Sequence, residues 1–204
     1  MNTFDAIRQR RAIKQYDPNH RMSEDEIQRL LGLALLSPTA FNIQNWRFVI
    51  ARDPALRKEL KEAAHGQPQM TDASLLVMLC ADLDAWEKDP QRYWKDTDKA
   101  VQDFILPRIA QYYRDDEREQ RDEAMRSCGI AAQTIMLAAK AMGYDSCPMI
   151  GFDFEKAGKL IRLPADHIIV LCVAIGKGMK AAEPRPGQLP MEQVVFTDTF
   201  PENA

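Results

Sequence analysis

Three cations fall within five positions at Arg10-Arg11-Ala12-Ile13-Lys14. Such density calls for an anionic partner or full solvation. Arginine offers a planar donor fork suited to phosphate oxygens, and lysine a compact point charge. The run could therefore anchor a phosphate-bearing ligand; a solvated basic patch at a helix end is the alternative. In Ser37-Pro38-Thr39-Ala40-Phe41-Asn42-Ile43-Gln44-Asn45-Trp46, the amides of Asn42 and Gln44 sit at i and i+2 just before a strand. Each carries donors and an acceptor, so the pair could read a ring edge that alternates them, as flavins and pterins do. A turn with self-capping amides is the alternative. In Cys147-Pro148-Met149-Ile150-Gly151, proline and a later glycine favour an extended stretch. Its main chain could face a flat ligand, or simply open a strand.

Other reacting groups are scarce. His20, His65 and His167 have no partner four residues away and no cysteine or carboxylate frame, so they read as surface or packing residues. No serine lies in G-x-S-x-G. Gly176-Lys177-Gly178 lacks the upstream glycine and the following Ser or Thr of a P-loop, and the third glycine of a dinucleotide fingerprint. A nicotinamide cofactor, if used, would bind without the usual nucleotide fold. Chemistry would be carried by a cofactor, or there would be none. In that setting the basic run reads as the phosphate and ring anchor of a flavin nucleotide.

The chain has 204 residues, 46% hydrophobic and 28% charged, which suits one domain with a real core. A net charge of −3 supplies no basic excess for a nucleic-acid surface. No apolar run is long enough to span a membrane. The first residues lack a basic region followed by an apolar one, so no signal peptide is expected. Cys80, Cys128, Cys147 and Cys172 lie far apart and read as buried thiols of a cytoplasmic protein.

The elements that must position these groups follow from periodicity and caps. Residues 3–9 read as a short helix. Ser23-Glu24-Asp25-Glu26 is a capping box for a second, whose apolar face is Ile27, Leu30, Leu31, Ala34 and Leu35 and whose stop is Ser37-Pro38. Trp46–Ala51 reads as a strand, and Asp53-Pro54 opens a helix with Leu56 and Leu60 inward. Leu75–Ala81 is continuously apolar, hence a strand buried on both faces. Residues 98–142 read as largely helical. Arg114–Arg126 within them is a solvated surface or turn, and 124–142 is apolar almost all round and closed by Gly143. A short extended piece (146–152), a brief helix (154–162) and a strong strand (Ile168–Ile175) follow. The proline-rich tail 181–204 reads as an arm, with Val194-Val195-Phe196 able to add a strand to a sheet edge.

Together these pieces resemble the nitroreductase family of FMN-dependent oxidoreductases. The family pattern is R-R-S-x-R/K, then S-x-x-N-x-Q-P-W before the first strand, then A-A-x-x-G-x-x-S-x-x-x-G after a buried helix. Here the pattern reads R-R-A-I-K, S-P-T-A-F-N-I-Q-N-W and A-A-K-A-M-G-Y-D-S-C-P-M-I-G, with V-A-I-G-K-G closing the last strand. The resemblance covers nearly the whole chain. It departs from the pattern at Ala12, where the family has serine, and at Asn45, where it has proline.

The resemblance implies an α+β fold in which helices flank a central mixed, mostly antiparallel sheet, as an intertwined homodimer. It implies a single domain over 1–204 with a variable helical cap at about 83–123 and a C-terminal arm at about 181–204. Carried over by position, Arg10, Arg11 and Lys14 would hold the FMN phosphate and ring edge, with the backbone of Ala12 touching the cofactor. Thr39, Ala40 and Asn42 would reach it from the partner subunit, and Gln69 would meet the pyrimidine edge. Pro148, Met149, Ile150 and Gly151 would line one face, and Arg185 would add a phosphate contact. Trp86, Tyr93, Trp94, Phe104, Tyr112 and Tyr113 of the cap could stack a planar substrate, or simply pack.

The implied activity is NAD(P)H-dependent reduction of nitroaromatics, quinones or similar planar acceptors, in ping-pong order, with no side-chain nucleophile. Two other readings are a flavin-binding sensor or store, and a cofactor-free dimerisation module whose basic run meets an acidic partner.

Overall fold

The structure is a computed structural model and describes residues 1–201. Four strands form one sheet: β1 (Trp46–Ile50), β2 (Leu75–Asp82), β3 (Asp145–Met149) and β4 (His167–Gly176). Their spatial order is β1-β2-β4-β3 and every neighbouring pair is antiparallel. One parallel bridge, Ala12 to Ser146, continues the sheet past β3 and makes it mixed.

The β2 run is buried along its whole length because helices cover both faces of the sheet. Successive side chains point to opposite sides. Leu75, Val77, Leu79 and Ala81 meet α2 (Glu24–Ala34) and α6 (Glu117–Ala141) through Leu30, Cys128, Ala131 and Ile135. Leu76, Met78 and Cys80 face the other way, onto Leu60 of α3 (Pro54–Ala63) and Met70 of α4 (Gln69–Asp72). Ala157 of α7 (Phe154–Leu160) closes that side. The remaining helices are α1 (Thr3–Gln9) and α5 (Lys99–Tyr113). All four cysteines are buried and unbridged.

Local signals set the helix ends. Ser23 and Glu26 complete the capping box of α2, with the Glu26 amide donating to Ser23 Oγ at 3.3 Å and the Ser23 amide to the Glu26 carboxylate at 2.9 Å. This helix ends at Ala34, short of the proline. The Leu36 and Ser37 amides tighten onto Leu33 and Ala34 before Pro38 turns the chain away. Gly143, at φ 83°, ends α6. Its amide donates to Lys140 O and the Tyr144 amide to Ala139 O, a Schellman pattern. α6 begins at Glu117, so most of the charged stretch belongs to this helix, and Arg114–Asp116 form the turn before it.

One expected strand is absent. Val194, Val195 and Phe196 follow a short 3₁₀ turn at Met191–Gln193, stay exposed and join no sheet among the described residues. Positions 202–204 of the expected arm lie outside the described residues.

Candidate functional site

The basic run leaves α1 as an extended segment, with the Arg10 amide closing the helix on Ala6 O at 2.9 Å. Two contacts fix its path. The Ile13 amide donates to Ser146 O at 3.1 Å, and Tyr16 bridges Gly178 beyond β4. Ile13 and Tyr16 turn inward and are buried; Lys14 and Gln15 turn outward. A Cβ on Gly178 would stand 2.6 Å from Asp145 Oδ2 and 3.2 Å from Ile13 Cγ2, so any larger residue here must push the Asp145 carboxylate aside.

Beside the run lies a cleft of about 380 Å³, lined by residues 11–15 and 180–183. The tail folds back along it. The Arg11 guanidinium donates to Glu183 O, and Arg185 Nη2 reaches Arg8 O and Arg10 O, each at 3.4 Å. Among the described residues, none of Arg10, Arg11, Lys14 and Arg185 pairs with a carboxylate. Lys180, which sequence reasoning missed, lines the cleft together with Arg11 and Lys14. Its place two residues past Gly178 was the available signal.

Three of the expected site residues, Arg10, Lys14 and Gln69, sit close together around Cys147. Burial pushes the Cys147 thiol up, against a hydrogen bond from Gln69 and the charges of Lys14 and Arg10. The buried Gln69 amide also donates to Gln67 Oε1 at 3.3 Å, and Gln67 Nε2 donates to Gly151 O at 2.8 Å. This relay ties α4 to the loop after β3. Gln67 was not singled out from sequence because its partner lies 84 residues away. Pro148, Ile150 and Gly151 are exposed, but the Met149 side chain is buried in the core under β3. Strand alternation turns the Met149 side chain inward, so any part it takes in lining a ring face falls to its main chain.

Thr39, Ala40 and Asn42 lie elsewhere. They precede β1, at the opposite edge of the sheet. Four strand spacings of about 4.8 Å put about 19 Å across the sheet between that edge and Ala12. Trp46 pairs with Ala81, whereas Ser146 is level with Leu75 through Ile175. That offset adds about 20 Å along the strands. Within one chain, the two sets occupy diagonal corners.

The loop at the far corner is tightly held. Phe41, Asn42 and Gln44 have φ of 52°, 54° and 43°. Thr39 Oγ1 accepts the Gln44 amide at 3.0 Å, and buried Glu123 accepts the Ala40 amide at 3.0 Å. Asn42 Nδ2 donates to Tyr93 O at 2.9 Å and its Oδ1 accepts from Gln44 at 3.3 Å, so both amides are partly engaged within the chain. In the cap, Trp86 and Tyr113 are buried with Ile43 and Ile109, which makes them packing residues. Phe104 and Tyr112 remain exposed.

His167 does have a carboxylate frame, contrary to expectation. Asp82, Asp166 and His167 bring ligand-type atoms within 4.8 Å. Asp82 already pairs with Arg47 at 3.0 Å and Lys88 at 2.7 Å; Lys88 also binds Asp166, which lies 2.7 Å from His167 Nδ1. The frame forms only when β2 and β4 pair, and two cations fill it.

The fold and the cleft, whose cations pair with no carboxylate among the described residues, define an α+β protein that presents a concentrated positive charge at one sheet edge. The family model described as Nitroreductase family matches residues 7–177, and the chain belongs to that family of oxidoreductases. It is 50% identical over 200 residues to Protein DrgA of Synechocystis sp. (96% of this chain, 95% of that protein). It is 32% identical over 200 residues to YodC of Bacillus subtilis, provisionally named an NAD(P)H nitroreductase (95% of this chain, 97% of that protein). A Staphylococcus epidermidis crystal structure provisionally named an NAD(P)H:FMN oxidoreductase superposes with a TM-score of 0.89 at 26% identity, covering 96% of this chain and 95% of that one. No helix among the described residues is long and apolar enough to cross a membrane.

Proposed function

We propose that the protein is an FMN-dependent oxidoreductase that uses NADH or NADPH to reduce nitroaromatics, quinones or similar planar acceptors. The observation that carries this reading is a cleft lined by Arg11 and Lys14, with Arg10 next in the chain and Arg185 bonded to Arg10 O, none of the four paired with a carboxylate among the described residues. That donor set suits a terminal phosphate. The names of relatives, which include NAD(P)H nitroreductase and NAD(P)H:FMN oxidoreductase, support the same cofactors here.

In this reading Arg10, Arg11 and Arg185 hold the phosphate. Lys14, a compact cation, favours negative charge on the bound ring system. Gln69 meets the polar ring edge, and the main chain at Ala12 and at Pro148–Gly151 borders the ring. FMN, when bound, supplies the hydride chemistry. Donor and acceptor use one cleft in turn, which is a ping-pong order, and solvent supplies protons.

Thr39, Ala40 and Asn42 belong to this site only if a second copy brings its own loop across. The diagonal separation supports that arrangement. So do the exposed apolar side chains of Phe4 and Ile7 on α1, Met125 and Ile130 on α6, and Val194 and Phe196 in the arm, which a second copy would cover. We read the protein as a single-domain homodimer working in the cytoplasm.

Anaerobic titration of the FMN-loaded protein with NADH and NADPH, followed by a quinone or nitroaromatic acceptor, tests the proposal. Loss of flavin colour with donor and its return with acceptor is the expected result. Tight FMN binding without turnover on any such acceptor would instead mark a sensor or store.

A further inference from the structure

A second cationic recess lies apart from the cofactor cleft and shares no lining residue with it. It has a volume of about 180 Å³ and is lined by Arg21, Arg52, Pro54, Arg57 and Thr71. That is about six water volumes, room for one tetrahedral oxyanion but not for a nucleotide.

Three guanidinium groups face this space and no carboxylate lines it. Arg57 is partly buried. Its Nε donates to Met70 O at 2.7 Å and its Nη2 to Ala73 O at 2.6 Å. Both acceptors are neutral, so they orient the charge without cancelling it. Arg21 Nη1 donates to the carbonyls of Pro18 and His20, again neutral groups. Only Arg52 meets an acid, Glu24, at 2.5 and 2.7 Å. Lys61 Nζ approaches Thr71 Oγ1 at 3.5 Å, and that hydroxyl donates to Asp72 at 2.7 Å. Three guanidinium groups thus line the recess, with Lys61 behind Thr71; of the two carboxylates nearby, Glu24 is paired with Arg52 and Asp72 accepts from Thr71.

Burial and the neighbouring Arg21 charge push Arg57 below the ordinary guanidinium range. Solvated arginines would normally spread away from one another. Here main-chain carbonyls fix two of them around one small volume, while Arg57 Nη1 and Arg21 Nη2 donate to no partner among the described residues. That is a preorganised oxyanion receptor, because guanidinium forks match phosphate oxygens and a compensating charge removes the repulsion.

We infer that the Arg21–Arg52–Arg57 recess is a binding site for a phosphate dianion, free or as the terminal group of a small monoester. It requires neither FMN nor a second copy of the chain.

Calorimetric titration of the purified protein, FMN-saturated and exchanged into phosphate-free chloride buffer, tests this. Inorganic phosphate and glycerol phosphate form separate arms at matched ionic strength, and the tighter arm identifies the source. The expected result is one saturable site per chain, weakened at least tenfold in Arg21→Gln and in Arg52→Gln. Both changes are at exposed positions, so folding is not at stake. Binding should persist in Arg10→Ala, which separates this recess from the cofactor cleft even if FMN does not bind. No saturable binding in the parent, or unchanged affinity in both arginine variants, overturns the assignment.

Discussion

Glu123 anchors the loop ahead of β1, and its removal has a calculable cost. The buried carboxylate accepts the Ala40 amide at 3.0 Å and the Ser127 hydroxyl at 2.6 Å, with Arg126 at 3.6 Å. The loop it holds contains three left-handed residues, Phe41, Asn42 and Gln44. Each such residue stores of order 1–3 kcal/mol and persists only where its surroundings enforce it. Glu123→Ala deletes two charge-assisted hydrogen bonds of about 1.5–3 kcal/mol each. Part of that returns: Ala40 is exposed and its amide can hydrate, Ser127 can turn to a main-chain carbonyl one turn back, and Arg126 keeps Glu119 at 2.6 Å. The net loss should be about 2–3 kcal/mol. At about 2–4 °C per kcal/mol for a chain of this size, Tm should fall by about 4–12 °C. Glu123→Gln keeps an acceptor and should cost about 1 kcal/mol. Scanning calorimetry of both variants, with and without FMN, reads the effect; FMN affinity should weaken in the alanine variant more than in the glutamine one. A Tm within about 1 °C of the parent for Glu123→Ala would refute the anchoring argument.

Further predictions concern the segments that frame the cleft and the acid limb of stability. Gly178→Ala places a methyl group against Asp145 and Ile13, pushes Asp145 off Lys140 and should destabilise by about 1–3 kcal/mol, measured by denaturant titration. A stability equal to the parent's would contradict that close approach. The Tyr144 hydroxyl, then the Ser23 amide and hydroxyl, hold the Glu26 carboxyl down to about 2, from an ordinary 4.5. Lys88, then His167, hold Asp166 down to about 2, from 3.8. Each folded value lies below the unfolded one, so this stabilisation is complete above about pH 4.5 and fades as pH falls towards about 2. Glu26→Gln should therefore lose less stability than the parent between about pH 5 and about pH 3; equal losses would count against the Tyr144–Glu26 bond.

Much of this architecture could be read from local pattern. The Ser23–Glu26 box, the Gly143 cap and the unbroken apolar run of β2 each depend on neighbours within a few residues, and each appears as expected. The family resemblance was legible in the same way, from ordered short motifs. What stayed hidden depends on pairing at long range. Met149 turns into the core because of its register opposite Cys172. His167 gains its frame only when β4 lies beside β2, and Gln67 matters because Gly151 is folded against it. Glu123 looked like one acid in a charged run, yet it is buried against a loop 83 residues earlier. Val194–Phe196 has strand-forming residues but pairs with no strand among the described residues, so propensity alone misled.

The central claim is that the unpaired cations around the β3-edge cleft hold an FMN phosphate. The most direct measurement is the flavin-to-protein ratio, by visible absorbance, after FMN reconstitution and exhaustive desalting of the parent and of the Arg10→Ala/Lys14→Ala double variant. One FMN per chain in the parent and a colourless double variant is the predicted result. A colourless parent, or a double variant that keeps its full flavin, would contradict the account.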